Sequence, residues 1–177
     1  MALFSSLLDR LQRLCTRTTQ LRVIEVHTPS AGAVQLFQKG FGQQAPDTPR
    51  HFELVLKHRR GEPTCIGYVH YTPFEDAYLC GGMTVDAYAL RRLPEALRVQ
   101  VRARGSLAEW LLQDSHAALM PCAAVFGHVG DAKALIVDLR VGFKPTTHEH
   151  LYVWQKPGAV CANLTGLIER VHALGPF

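Results

Sequence analysis

A basic turn, Arg102-Ala103-Arg104-Gly105-Ser106-Leu107, stands at the head of an apolar helical pattern. The first N–H groups of a helix lack internal acceptors, and the helix dipole adds positive charge there. Gly105 lets an anion approach the backbone, and the arginines add charge-assisted donors, so the turn suits a pyrophosphate. An ordinary solvated basic helix start is the plainer alternative. Histidine titrates near neutrality, which makes His128 a candidate base. Asp86 and Glu75 lie near strand ends and are candidate carboxylates, or turn residues. His70 and Tyr71 end one strand, and Cys80 lies on the next as a buried thiol. His148 and His150 are two apart on an extended segment, but no third ligand accompanies them, so no metal site is expected.

The elements that must position these groups follow from periodicity. Leu3, Phe4, Leu7, Leu8, Leu11 and Leu14 recur at helical spacing and predict an amphipathic helix over 2–16. Its stripe would pack on the domain or on a second copy as a homodimer contact; the arginine-rich stretch also has the composition of a mitochondrial transit peptide. Leu21 to His27 reads as a strand, and Ser30 as the cap of a helix over Ala31 to Lys39. Strands are expected over Phe52 to His58, Thr64 to Tyr71 and Ala77 to Val85, joined by short turns as an antiparallel meander. Asp86 to Gln100 reads as a short helical insertion. Gly105 to Leu119 is the strongest helix, closed by Pro121. Ala123 to Val129 reads as a central strand, Asp131 as the cap of a helix ending at Gly142, Leu151 to Gln155 as a strand, and Leu164 to Ala173 as a final helix.

The chain of 177 residues has a net charge of +4 with hydrophobic content of 47%. One domain is expected: an N-terminal helix (1–20), a core (21–156) and a C-terminal helix (157–177). The charge is too small and scattered to indicate a nucleic-acid partner, and no apolar run is long enough to span a membrane. The five cysteines lack metal or disulfide spacing, so reduced thiols and a cytoplasmic location are expected.

The order of elements resembles the GNAT superfamily of N-acetyltransferases. The meander from Phe52 to Val85, the turn Arg102 to Leu107, and Asp131-Ala132-Lys133-Ala134 running to Gly142-Phe143 carry the likeness. It implies an α/β (α+β) fold with a mixed, mostly antiparallel central sheet flanked by helices. It implies acyl transfer from acetyl-CoA or another acyl-CoA to a small-molecule or peptide amine. Backbone groups of Met83, Thr84 and Val85 would hold the pantetheine arm, and Arg102, Arg104, Gly105, Ser106 and Leu107 the pyrophosphate. His128 and Asp86 would serve catalysis. Three departures stand out. Asp86 to Val101 is longer than the usual link from strand to loop and would form a lid or a wall of the acceptor site. Leu107 replaces a small residue of the loop and could crowd a phosphate. Asp138 stands where the family often has a tyrosine that protonates the departing thiolate, and an ordinary carboxylate would be ionised at neutral pH. The alternatives are a GNAT-fold protein that binds coenzyme A or another ligand without catalysis, and an acyl-homoserine-lactone-synthase-like transferase fed by a carrier protein.

Overall fold

The computed structural model describes residues 19–47, 50–58, 60–119, 122–159, 161 and 163–177. The helix expected over 2–16 lies outside them. In chain order the elements are β1 (Gln20–Val26), α1 (Ala31–Phe41), β2 (Arg50–Lys57), β3 (Thr64–Phe74), β4 (Ala77–Val85), α2 (Ala89–Arg92), α3 (Glu95–Ala103), α4 (Leu107–Ala118), β5 (Ala124–His128), α5 (Ala132–Val141), β6 (Lys144–Pro145), β7 (Leu151–Gln155) and α6 (Leu164–Ala173).

The strands form one sheet in the order β1-β2-β3-β4-β5-β7-β6. β2 to β4 are the expected antiparallel meander, and β1 joins it antiparallel beside β2. β4 and β5 are parallel, and β7 returns antiparallel beside β5. Parallel neighbours need a crossover, and α2, α3 and α4 supply it. The segment read as one short helix is therefore two helices, split at Leu93-Pro94.

Helices cover both faces. Phe52, Leu54 and Leu56 of β2 and Val69 and Tyr71 of β3 join Leu97, Val101, Leu107, Trp110 and Leu111 in the main core. The opposite face carries α1, through Ala33 and Phe37 against Tyr68, and α6, through Leu167 and Val171 against Leu79 and Phe126. Alternation in β2 and β3 thus does not mark a solvent face. His51, Glu53 and His70 point to the α1 side and are buried.

Local chemistry fixes the ends of these elements. Ser30 caps α1 by accepting from the Ala33 N–H, and its own N–H and Oγ–H donate to the Glu53 carboxylate at 2.7 and 2.8 Å. Asp131 accepts from the N–H groups of Lys133 and Ala134 at 2.9 Å and starts α5. Gly142 ends α5 at φ 108, a conformation that side chains resist. β3 runs three residues further than its alternation suggests, through Pro73. Beyond Tyr71 it has no partner on β2 and pairs with β4 alone, so the missing N–H of Pro73 leaves no ladder bond unmade on the β2 side.

Candidate active site

β4 pairs with β5 over four residues, from Ala77 opposite Ala124 to Cys80 opposite Gly127. There the two strands part. The register of β4 against β3 shifts at the same place, where Gly81 has no partner between Gly82 and Cys80. A bulge bends its strand and increases local twist, and here it turns the rest of β4 away from β5. Met83, Thr84 and Val85 keep their partners on β3, but their other edge faces no strand. Below them the chain crosses by α2 and α3 to the turn at Gly105, φ 97, with Ser106 as N-cap of α4. This is the mixed, mostly antiparallel sheet flanked by helices that the resemblance to GNAT proteins implied.

The parting opens a cavity of about 230 Å³. Cys80 to Met83 form one wall and Gly127 to Asp131 the other. Phe41 of α1 closes one mouth, while Leu112, Asp138 and Phe143 line the other. The cavity therefore reaches both faces of the sheet. Asp138 lies on α5 beside Gly127; a Cβ on that glycine would stand 4.0 Å from its Oδ2. Burial pushes the Asp138 carboxyl up to about 6. Burial also pushes up the Cys80 thiol and the Tyr71 hydroxyl, and the Asp138 carboxylate adds to both shifts. Tyr71 is further fixed by a 2.7 Å hydrogen bond with Ser115.

Of the residues expected to act, His128 ends β5 and lines the cavity, with its ring 6.1 Å from that of His150 and 6.2 Å from that of Phe177. Burial lowers its pKa, and His150 and His172 lower it further, so the ring is neutral at pH 7. Asp86 is not brought to this cavity. Its carboxylate accepts from the Tyr88 N–H and pairs with Arg92 at the start of α2, beside a separate hollow lined by Ser30, Gln35 and Cys65. Glu75 forms a two-pronged pair with Arg170 of α6, both bonds 2.7 Å. His148 stacks on His172 at 3.7 Å and bonds Glu169 at 2.9 Å, while His150 bonds the Val129 carbonyl.

The turn differs from expectation in one respect. Leu107 does not crowd it, because that side chain is 6% exposed and belongs to the core. Glu109 crowds it instead. The Glu109 carboxylate lies against Gly105, where any Cβ would collide with it, and Ser106 Oγ donates to its Oε1 at 3.3 Å. Arg102 pairs with Glu95, and Arg104 pairs with Asp114 while lying 4.5 Å over the Trp110 ring.

Beneath Gly81 and Gly82, His70, one of the strand-end candidates, joins His51 and Tyr68, which the sequence did not single out. His51 Nδ1 and the Tyr68 hydroxyl are 2.7 Å apart, and the Tyr68 and His70 rings are 5.9 Å apart. His70 is 5% exposed, and its Nδ1 has no hydrogen-bond partner. Burial, then His51, lower its pKa to about 4. Two glycines in a row on the neighbouring strand were the available signal: the His70 ring packs where a side chain on Gly81 would stand.

No protein-family model and no curated protein matches the sequence. Solved structures similar to it include YhhK from E. coli bound to coenzyme A, at 15% identity and TM-score 0.49, covering 77% of this chain and 99% of that one. A GNAT family acetyltransferase from Brucella melitensis in complex with acetyl-CoA matches at 10% identity and TM-score 0.49, covering 80% and 92%. The KacTA–DNA complex contains a chain matching at 16% identity and TM-score 0.46, covering 87% and 99%.

Proposed function

We propose that the chain transfers an acyl group from an acyl-CoA to an amine. The observation that carries this reading is the cavity left where β4 and β5 part after Cys80 and Gly127. An exposed strand edge binds extended chains that carry amides, and Met83, Thr84 and Val85 offer such an edge to a pantetheine arm. The diphosphate end would fall at Gly105 and Ser106, where Glu109 now lies.

A bound thioester supplies an acyl carbon open to nucleophiles. The chain's own task is to place an amine beside it and move two protons. The amine nitrogen forms the new C–N bond as the C–S bond breaks. His128, neutral at pH 7 and lining the same cavity, accepts the proton that nitrogen loses. Asp138 takes the place of the expected tyrosine. With its carboxyl raised to about 6, a fraction stays protonated near neutrality and donates to the departing sulfur. Asp86 has no part in these steps; it accepts from the Tyr88 N–H ahead of α2 and pairs with Arg92.

The second reading is a GNAT-like protein that takes a ligand without acyl transfer, and the position of Glu109 favours it. Calorimetry with acetyl-CoA and a free-thiol release assay over an amine panel separate the two. Heat of binding with amine-dependent thiol release supports transfer, binding without release supports the second reading, and neither signal at millimolar ligand removes the acyl-CoA reading.

A further inference from the structure

We infer that Glu109 is an internal anion that competes with the diphosphate of coenzyme A for the start of α4. The inference rests on the acyl-CoA reading for the identity of the competing ligand. Its physical basis is the state of the carboxylate itself. Glu109 is 5% exposed, among the few buried charged groups of the chain. Buried carboxylates normally hold charge-assisted bonds near 2.7 to 2.9 Å, roughly. The two side-chain donors to Glu109 are both longer: Ser106 Oγ at 3.3 Å and Arg140 at 3.4 Å. Its carboxylate also lies where a side chain on Gly105 would stand, at the first turn of α4. Three residues after the N-cap Ser106, which accepts from its N–H, the carboxylate lies in the N-terminal field of the helix, the same field that would hold a phosphate.

Arg140 comes from α5, so the Glu109–Arg140 pair bridges the two helices that flank the mouth lined by Asp138. Arg140 is 65% exposed at its side chain, free to keep Glu109 as a partner when the carboxylate swings outward. A diphosphate and Glu109 cannot both lie against Gly105. Binding of coenzyme A therefore includes the displacement of this carboxylate, and pantetheine, which lacks the diphosphate, binds without it.

Titration calorimetry on the full chain tests this, using coenzyme A, pantetheine and inorganic pyrophosphate against the unmodified protein, Glu109→Gln and Glu109→Ala. Both variants are expected to raise affinity for coenzyme A and for pyrophosphate about tenfold or more, and to leave pantetheine unchanged. The isosteric Gln variant guards against loss of fold in the Ala variant, with thermal melts as the control. Equal or lower affinity for coenzyme A and pyrophosphate in both folded variants overturns the inference. A gain for pyrophosphate with no binding of coenzyme A or pantetheine in any protein upholds the competition and sinks the acyl-CoA reading instead.

Discussion

Asp138 of α5 faces Gly127 of β5 at the point where β5 loses its pairing with β4. The glycine leaves room for the carboxyl to line the cavity, and burial among its neighbours raises it. A side chain at Gly127 would stand between the acid and the parted strands. The same burial that raises this carboxyl makes it useful as an acid and costly as a structural element.

Both consequences can be measured on Asp138→Asn. Acyl transfer should fall by about 100-fold, the usual contribution of a positioned acid, and the decline in rate as pH rises through about 6 should vanish. Stability moves the other way. The folded carboxyl binds its proton more tightly than the unfolded one, whose value is near 3.8, so stability is lost as pH rises between there and about 6. The variant should melt higher than the parent at pH 8 and no higher at pH 4. A pH–rate profile unchanged by the substitution removes Asp138 from the chemistry.

His116 makes an opposite prediction. It is 2% exposed, packed 4.6 Å from the Trp154 ring, and neither ring nitrogen has a partner. Burial lowers its pKa from 6.5 to about 3. The unfolded chain therefore takes up the proton first, and the stability held by the neutral ring is full above 6.5 and lost as pH falls towards 3. At pH 5 the loss should be about 2 kcal/mol from this ring alone. Urea unfolding at pH 7 and pH 5 checks it, and His116→Leu should flatten the difference.

The close approach at the bulge is equally exposed to test. A Cβ on Gly81 would lie 2.8 Å from Cδ2 of His70, and one on Gly82 2.7 Å from Cε2 of Phe37. Alanine at either position should cost about 1 to 3 kcal/mol by overpacking. Because the bulge directs β4 away from β5, Gly81→Ala should also weaken pantetheine binding. Unchanged denaturation midpoints would mean that the rings move aside freely.

The loop arginines should matter to binding and little to folding. Their present partners, Glu95 and Asp114, are exposed ion pairs, and such pairs contribute about 1 kcal/mol or less. Replacing Arg102 and Arg104 together by alanine should leave the melting temperature within a few degrees. Affinity for coenzyme A should drop about tenfold or more, with pantetheine unaffected. An equal loss for both ligands would place the effect outside the diphosphate end.

Much of the frame could be read from the sequence because each element there is locally consistent. Asp131, the apolar positions after it and Gly142 mark α5 without help from the rest of the chain, and the alternation of Leu151 to Gln155 marks β7. What escaped the sequence depends on burial. His51, Glu53 and His70 look like the polar side of half-exposed strands until α1 covers them. Asp138 looks like an ionised surface residue until α5 presses it against Gly127. Ser106 and Glu109 read as an ordinary helix start, three residues apart, and only the fold shows that the carboxylate lies on the glycine expected to receive a phosphate.

The parallel pairing of β4 with β5 also has a consequence for how such a chain can vary. The stretch from Asp86 to Arg104 is the first part of the crossover, and none of its residues pairs in the sheet. Residues added or removed there would alter the link between β4 and α4 without changing which strand residues face one another. The length of this connection and the registers of the sheet are thus set by different residues, so that a change in one need not be a change in the other.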